Sequence, residues 1–198
     1  YWDLIDNQFY RYSNNGKVGA LAAFEGFENL FNDLDNKNIL NRLHSHEASS
    51  IMNEYFGNIP SVLSRIKILK ESLSSDNIEK CFKIIMADIN QIDSNTAYKV
   101  AQIMPLSFNE PYLKKIQLAL YEVVLHTQSL DYNTKQELTV AADYQLPKVM
   151  EAMGILTYNQ SLIDAIDSYT LIKENSIEEK AIRAATILAC EDISKVHG

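Results

Sequence analysis

Apolar residues recur along most of this chain at spacings of three and four, the period of an amphipathic helix. Lys17 to Phe31 carries Val18, Leu21, Ala22, Phe24, Leu30 and Phe31, and Asn14-Asn15-Gly16 before it reads as a turn. Asn38 to Phe56 predicts a second helix, closed by Gly57 and Asn58. Pro60 stands near the start of a third, with Val62, Leu63, Ile66 and Leu69 on one face and Ser74-Ser75-Asp76 at its end. Asn77 to Ile89 and Asn95 to Met104 predict shorter helices. Asn109-Glu110-Pro111 predicts the opening of a strong one, with Leu113, Ile116, Gln117, Leu120 and Val124 at helical spacing. Asn133 to Met153 predicts a helix interrupted at Pro147, with Gly154 just past its end, and Asn159 to Ile172 follows. Ser176-Ile177-Glu178-Glu179 fits a capping box, and Ala181, Ala184, Ala185, Leu188 and Ile193 continue that last helix. No segment alternates at period two over five or more residues. The expected fold is all-α, with about nine helices in one compact domain over residues 1–198.

Composition narrows the classes of function. A chain of 198 residues with 46% hydrophobic content can bury a core, which excludes disorder. Six glycines and four prolines agree with long elements and few tight turns. A net charge of −8 argues against general nucleic-acid binding, because phosphate contacts need a basic surface. Two cysteines, Cys81 and Cys190, exclude a disulfide scaffold and suit a reducing cytosol. The first residues, Tyr1-Trp2-Asp3-Leu4, lack the basic and apolar regions of a signal peptide, and no apolar run has the length of a membrane span. The expected compartment is therefore the cytoplasm. Tyr1 in place of Met reads as a start inside a longer chain or after a removed tag.

Candidate chemistry is sparse. A Gly-rich phosphate loop, a nucleophile elbow and a CxxC pair are all missing from the sequence. His44 and His46, two apart, would point to different faces of a helix and share no metal, and Ser50 leaves HExxH incomplete. The informative stretch is Leu138 to Met150. Its apolar stripe of Leu138, Ala142, Leu146, Val149 and Met153 has Asp143 beside it. Pro147 has no N–H, so a helix through this stretch would leave the Asp143 carbonyl unpaired next to a carboxylate. A Pro kink with a capping Asp accounts for the same pattern. Glu191 falls on an apolar helix face, where a carboxylate needs a partner. Arg183 is four residues after Glu179, the spacing of a helical ion pair. Lys114-Lys115-Ile116-Gln117 sets two cations and an amide in an apolar helix, where snorkelling lysines are the simpler reading.

Taken together these segments resemble the queuosine salvage family, the queuosine 5′-phosphate N-glycosylase/hydrolase proteins. The family's FADYRxPQ segment and Gly-x-Leu-x-Tyr step resemble Ala142-Asp143-Tyr144-Gln145-Leu146-Pro147-Lys148 and Gly154-Ile155-Leu156-Thr157-Tyr158. Its KRAQ helix resembles Lys114-Lys115-Ile116-Gln117. Its acidic and Arg-bearing ending resembles Glu178-Glu179-Lys180-Ala181-Ile182-Arg183-Ala184 with Glu191, and Ile59 to Leu69 resembles a further piece. The order holds from about residue 40 to residue 195. There are departures. Gln145 replaces an Arg and Lys148 a Gln. Met104 to Glu110 stands where the family has FPxFRD and lacks its Arg-Asp pair, and Asn7-Gln8-Phe9-Tyr10 matches an aromatic segment loosely.

The resemblance implies a fold similar to helical DNA glycosylases and hydrolysis of a 7-deazaguanine nucleotide to queuine, for tRNA modification. Breaking an N-glycosidic bond builds positive charge on the ribose ring, and a nearby carboxylate stabilises that charge and orients water. Asp143 is the expected catalytic carboxylate. Tyr144, Lys114, Lys115, Gln117, Lys148 and Arg183 are expected to bind substrate, with Phe9 or Tyr10 stacking on the base. Glu179, Glu191 and Pro147 are expected to support them. Neither a metal nor an organic cofactor is required. The expected partner is a small nucleotide or nucleoside, with no membrane and no general nucleic acid. The alternatives are a relative that binds without turnover, an all-α interaction module, and base excision from DNA, which the negative charge opposes.

Overall fold

The computed structural model of the chain describes residues 2–5, 8–89, 92–127 and 138–197. The described residues form eleven helices and two short antiparallel hairpins, so the protein is predominantly α-helical. The chain makes two compact units, Tyr1–Lys80 and Cys81–Gly198, and the division falls within helix α5 (Ser75–Ala87).

In the first unit β1 (Trp2–Ile5) pairs with β2 (Gln8–Arg11), and β3 (Ser13–Asn14) with β4 (Lys17–Val18). Strands of four and two residues are too short to show period-two alternation, so the sequence pattern misses them. Lys17 and Val18, expected at a helix start, are extended instead, and α1 runs Ala20–Asp33. The long helix expected over Asn38 to Phe56 is two: α2 (Asn36–His44) and α3 (Ala48–Phe56). Ser45 breaks it, its hydroxyl donating to the Arg42 carbonyl and accepting from the Glu47 N–H. This is the local backbone competition that takes serine out of helix interiors. His44 and His46 flank that break and are exposed.

The first core is drawn from one face of each helix: Ala22, Ala23 and Leu30 of α1, Ile39 and Leu43 of α2, and Ile51, Met52 and Phe56 of α3. Ile66 and Leu69 of α4 (Val62–Ser72) complete it. Tyr12 is fully buried, and its hydroxyl donates to the Phe56 carbonyl at 2.7 Å. Gly26 lets α1 and α3 touch. A Cβ there would meet the Phe56 ring at 2.5 Å and the Tyr55 carbonyl at 2.8 Å.

In the second unit α6 (Ser94–Ile103) and α8 (Lys114–Thr127) pack together, with the single turn α7 (Pro105–Phe108) between them. Ala97, Val100, Ala101 and Met104 face Ile116, Leu120 and Val124 in this core. The last three helices are α9 (Gln145–Ala152), α10 (Gln160–Asp167) and α11 (Ile177–His197). Asn159 caps α10, accepting from Leu162 N–H at 2.9 Å, and Gly154 after α9 takes φ +71°. Two helices more than expected come from the break at Ser45 and from α7. Among the described residues no helix is long and apolar enough to cross a membrane.

Asp93 caps α6, accepting from the Thr96 N–H at 2.8 Å, and this bond holds its carboxyl below the usual range against the opposing effect of burial. Asp93→Ala is expected to cost about 1 kcal/mol near neutral pH. Because the folded value is depressed, the contribution is full above the ordinary carboxylate value of 3.8 and is lost as pH falls through the folded one. Urea titrations of both proteins at descending pH should therefore converge. A gap that widens in acid would contradict this. Gly26→Ala is expected to lower stability by about 1–3 kcal/mol through overpacking against Phe56 and the Tyr55 carbonyl, read as a fall in the urea midpoint.

Candidate functional site

A cleft of about 730 Å³ opens in the second unit, a size within the range that small-molecule sites occupy. Glu110 and the first turn of α8, with Lys114 and Lys115, form one wall. Ala142, Asp143 and Tyr144 lead into α9, which adds Pro147, Lys148 and Glu151. Tyr158, Asp167 and Tyr169 lie around α10, and α11 adds Glu179, Ile182 and Arg183.

Asp143 reaches the cleft by a route the sequence pattern does not predict. Residues 138–143 are not helical, and α9 begins only at Gln145. The apolar stripe expected from Leu138 to Met153 is therefore no helix face, and Val149 and Met153 at its end are exposed. Pro147 does not kink a helix. It occupies the first turn, where backbone N–H groups have no intrahelical partner and proline costs nothing. Asp143 caps that turn, its Oδ1 accepting from Gln145 N–H at 2.8 Å and from Leu146 N–H at 3.3 Å. Two backbone donors thus orient the carboxylate. Oδ2 takes part in no hydrogen bond among the described residues, and Asp143 lines the cleft.

Arg183 is the most constrained cation of the site, with its side chain 13% exposed. Nη2 lies 3.0 Å from Glu110 Oε2, and Nη1 lies 3.2 Å from Glu179 Oε1. The guanidinium carbon stands 5.2 Å from the centre of the Tyr112 ring, close enough for a cation–π contact. Tyr112 in turn donates its hydroxyl to the Lys180 carbonyl at 2.8 Å. Half of the predicted capping box forms: Ser176 Oγ accepts from Glu179 N–H at 3.2 Å. The Glu179 carboxylate turns to Arg183 instead of back to Ser176, whose N–H already donates to the Lys173 carbonyl.

The other expected residues divide. Tyr144, Lys114, Lys115 and Lys148 line the cleft with Asp143, as do Glu179 and Pro147. Gln117 is buried behind the wall. Its Nε2 donates to the Tyr112 carbonyl, and its Oε1 accepts from Thr139 N–H at 2.7 Å. Both ends of the amide hold backbone, so it ties the segment leading to Asp143 onto α8. Glu191 is exposed, and Leu188 and Ile193 near it are also open to solvent, so the apolar face expected there is not buried. Phe9 and Tyr10 belong to β2 in the first unit, and their side chains lie outside the described residues.

Glu110, Glu151, Tyr158, Asp167 and Tyr169 join the cleft without having been singled out. Tyr158 had a signal, as the end of the Gly-x-Leu-x-Tyr step. Burial, and secondarily the Glu151 carboxylate, push its phenol upward, so it stays protonated and able to donate at neutral pH. Glu110 also had one, as the acid four residues before α8. Asp167 and Tyr169 had none.

The family model described as queuosine salvage protein matches residues 29–197. A queuosine 5′-phosphate N-glycosylase/hydrolase of Sphaerobacter thermophilus is 42% identical over 59 residues. That stretch is 30% of this chain and 18% of the relative, so the chain matches only a small part of that protein's length. The family match takes in α2 through α11 and every residue that lines the cleft, and the chain therefore belongs to the queuosine salvage protein family.

Proposed function

We propose that this protein hydrolyses the N-glycosidic bond of a queuosine nucleotide, queuosine 5′-phosphate, and releases the 7-deazaguanine base queuine in the cytoplasm. The observation that carries the reading is Asp143, anchored through one oxygen and open through the other, in a cleft that also holds Lys114, Lys115 and Lys148. The family match runs through both compact units, which supports a single salvage module over residues 1–198.

The residues suit the reaction. As the bond to the base lengthens, positive charge grows on the ribose ring. Asp143 Oδ2 is the group to offset that charge and to orient or deprotonate the attacking water. Its fixed partner atom, Oδ1, spares the carboxylate a reorientation during the reaction. Lys114, Lys115 and Lys148 supply cations for the phosphate. The aromatic faces of Tyr144 and Tyr158 supply apolar contact for the sugar or base, and the protonated Tyr158 hydroxyl can donate to a base edge. Arg183 is already paired with two carboxylates, so its part is structural support of the wall.

Binding without turnover is the second reading, favoured by Lys148, which stands inside the cleft where the family carries Gln. Another departure, Gln145, is exposed and outside the cleft lining. Asp143→Asn separates the two readings. Asn keeps an acceptor for the Gln145 and Leu146 N–H groups, so the variant should melt close to the parent. Parent protein incubated with queuosine 5′-phosphate should release queuine, seen by chromatography, and the variant should release at least about a hundredfold less. Full release by the variant would sink the assignment of Asp143. Tight binding with no release by the parent would favour the second reading.

A further inference from the structure

We propose that Glu110 is a positioning residue for the phosphate end of the substrate, acting on Lys114 and Lys115 through the turn that opens α8; this rests on the cleft reading above. Glu110 uses both carboxylate oxygens. Oε1 accepts from the Lys115 N–H at 2.7 Å, and Oε2 lies 3.0 Å from Arg183 Nη2. One oxygen therefore caps the first turn of α8, and the other fastens that turn to α11, 73 residues further along the chain. The side chain is 18% exposed, so solvent screens the pair only partly.

The turn needs such a fastening. Leu113, directly before α8, has φ +50°, a left-handed conformation that a bulky L-residue adopts only when its surroundings impose it. Five contacts impose it. Leu113 N–H donates to the Glu110 carbonyl at 3.1 Å, and Gln117 N–H donates to the Leu113 carbonyl at 2.9 Å. Gln117 Nε2 holds the Tyr112 carbonyl, and Tyr112 packs under Arg183 while its hydroxyl reaches the Lys180 carbonyl. Glu110 is the member of this set that joins the helix start to the guanidinium by charge. Without it the Lys115 N–H loses its acceptor and Arg183 loses one of two carboxylates. The strained turn is then free to relax, and the two lysines that follow lose their fixed starting point. The carboxylate also has a cost for an anionic ligand, since it lies near the same cations. The structure resolves that conflict by pairing it with Arg183, which leaves the lysines to the ligand.

The test uses Asp143→Asn protein, in which turnover is blocked, and calorimetric titration with two probes, queuosine 5′-phosphate and the nucleoside queuosine. Glu110→Ala added to that background should weaken the nucleotide about tenfold and the nucleoside less than about twofold. Glu110→Gln keeps an acceptor for the Lys115 N–H but not the charge. It should fall between Glu110→Ala and the parent, and being nearly isosteric it covers the case in which the Ala variant does not fold. Equal weakening of both probes, or no weakening of either, would overturn the positioning role, because a merely structural loss does not distinguish them. A parent that binds neither probe would overturn the cleft reading itself, and this role with it.

Discussion

Arg183 sits between Glu110 and Glu179 against the face of Tyr112, and all but the tyrosine line the second unit's cleft. The guanidinium is planar, permanently charged and able to donate in two directions at once, which a lysine cannot reproduce. It joins α11 to the turn before α8, and α9 packs on α11 from another side. Three segments far apart in sequence are thereby held at one wall. A part-buried pair of this kind adds little net stability over apolar packing, whereas removing Arg183 would leave two carboxylates without their cation. The contact is thus better understood as a constraint on shape than as a source of stability. Glu179 Oε2 and Arg183 Nε remain buried without a partner among the described residues, a sign that polar groups here answer to more than folding.

Local chemistry was legible in the sequence where a side chain acts on its own backbone. The Ser176 cap, the Asn159 start of α10 and the Gly154 stop after α9 follow from residues within one turn of the effect. The periodic helices are also legible, since Ile116, Leu120 and Val124 bury one face of α8 as their spacing requires. What escaped depends on partners outside the local window. The pair strands are too short for a period, and the break at Ser45 uses one hydroxyl against two backbone groups that any helix could have satisfied. Glu110 looked like a helix-opening acid because nothing near it in sequence reveals Arg183.

At Asp143 the expected geometry fails while the residue still lines the cleft. Pro147 pointed to it through an imagined kink, in which a lost N–H opens the helix at the carbonyl four residues back. The lost N–H is real, but it falls in a first turn where no carbonyl was waiting. The consequence for the carboxylate is stronger. A mid-helix Asp would point wherever its rotamer allowed, whereas a capping Asp has one oxygen committed to two backbone donors and the other committed to a direction. The segment around Asp143 in this chain therefore encodes a helix start. The conformational reason for proline two residues into α9 is that it can occupy that start and cannot extend the helix backwards through Asp143.

The negative charge of the chain, −8 overall, looks at first opposed to an anionic ligand. The cleft resolves it locally. Of the carboxylates that line it, Glu110 and Glu179 are spent on Arg183, so the guanidinium's charge is cancelled within the wall. Lys114, Lys115 and Lys148 then face the cavity alongside Asp143, Glu151 and Asp167. A nucleotide cleaved at its glycosidic bond needs that mixture. Its phosphate is anionic throughout, while its ribose becomes cationic only as the bond breaks. A uniformly basic pocket would hold the phosphate and oppose the charge that develops on the sugar, and a uniformly acidic one would do the reverse. On the proposed reading an acidic surface is no handicap, because a single phosphate would need only a few local cations rather than the field of the whole molecule.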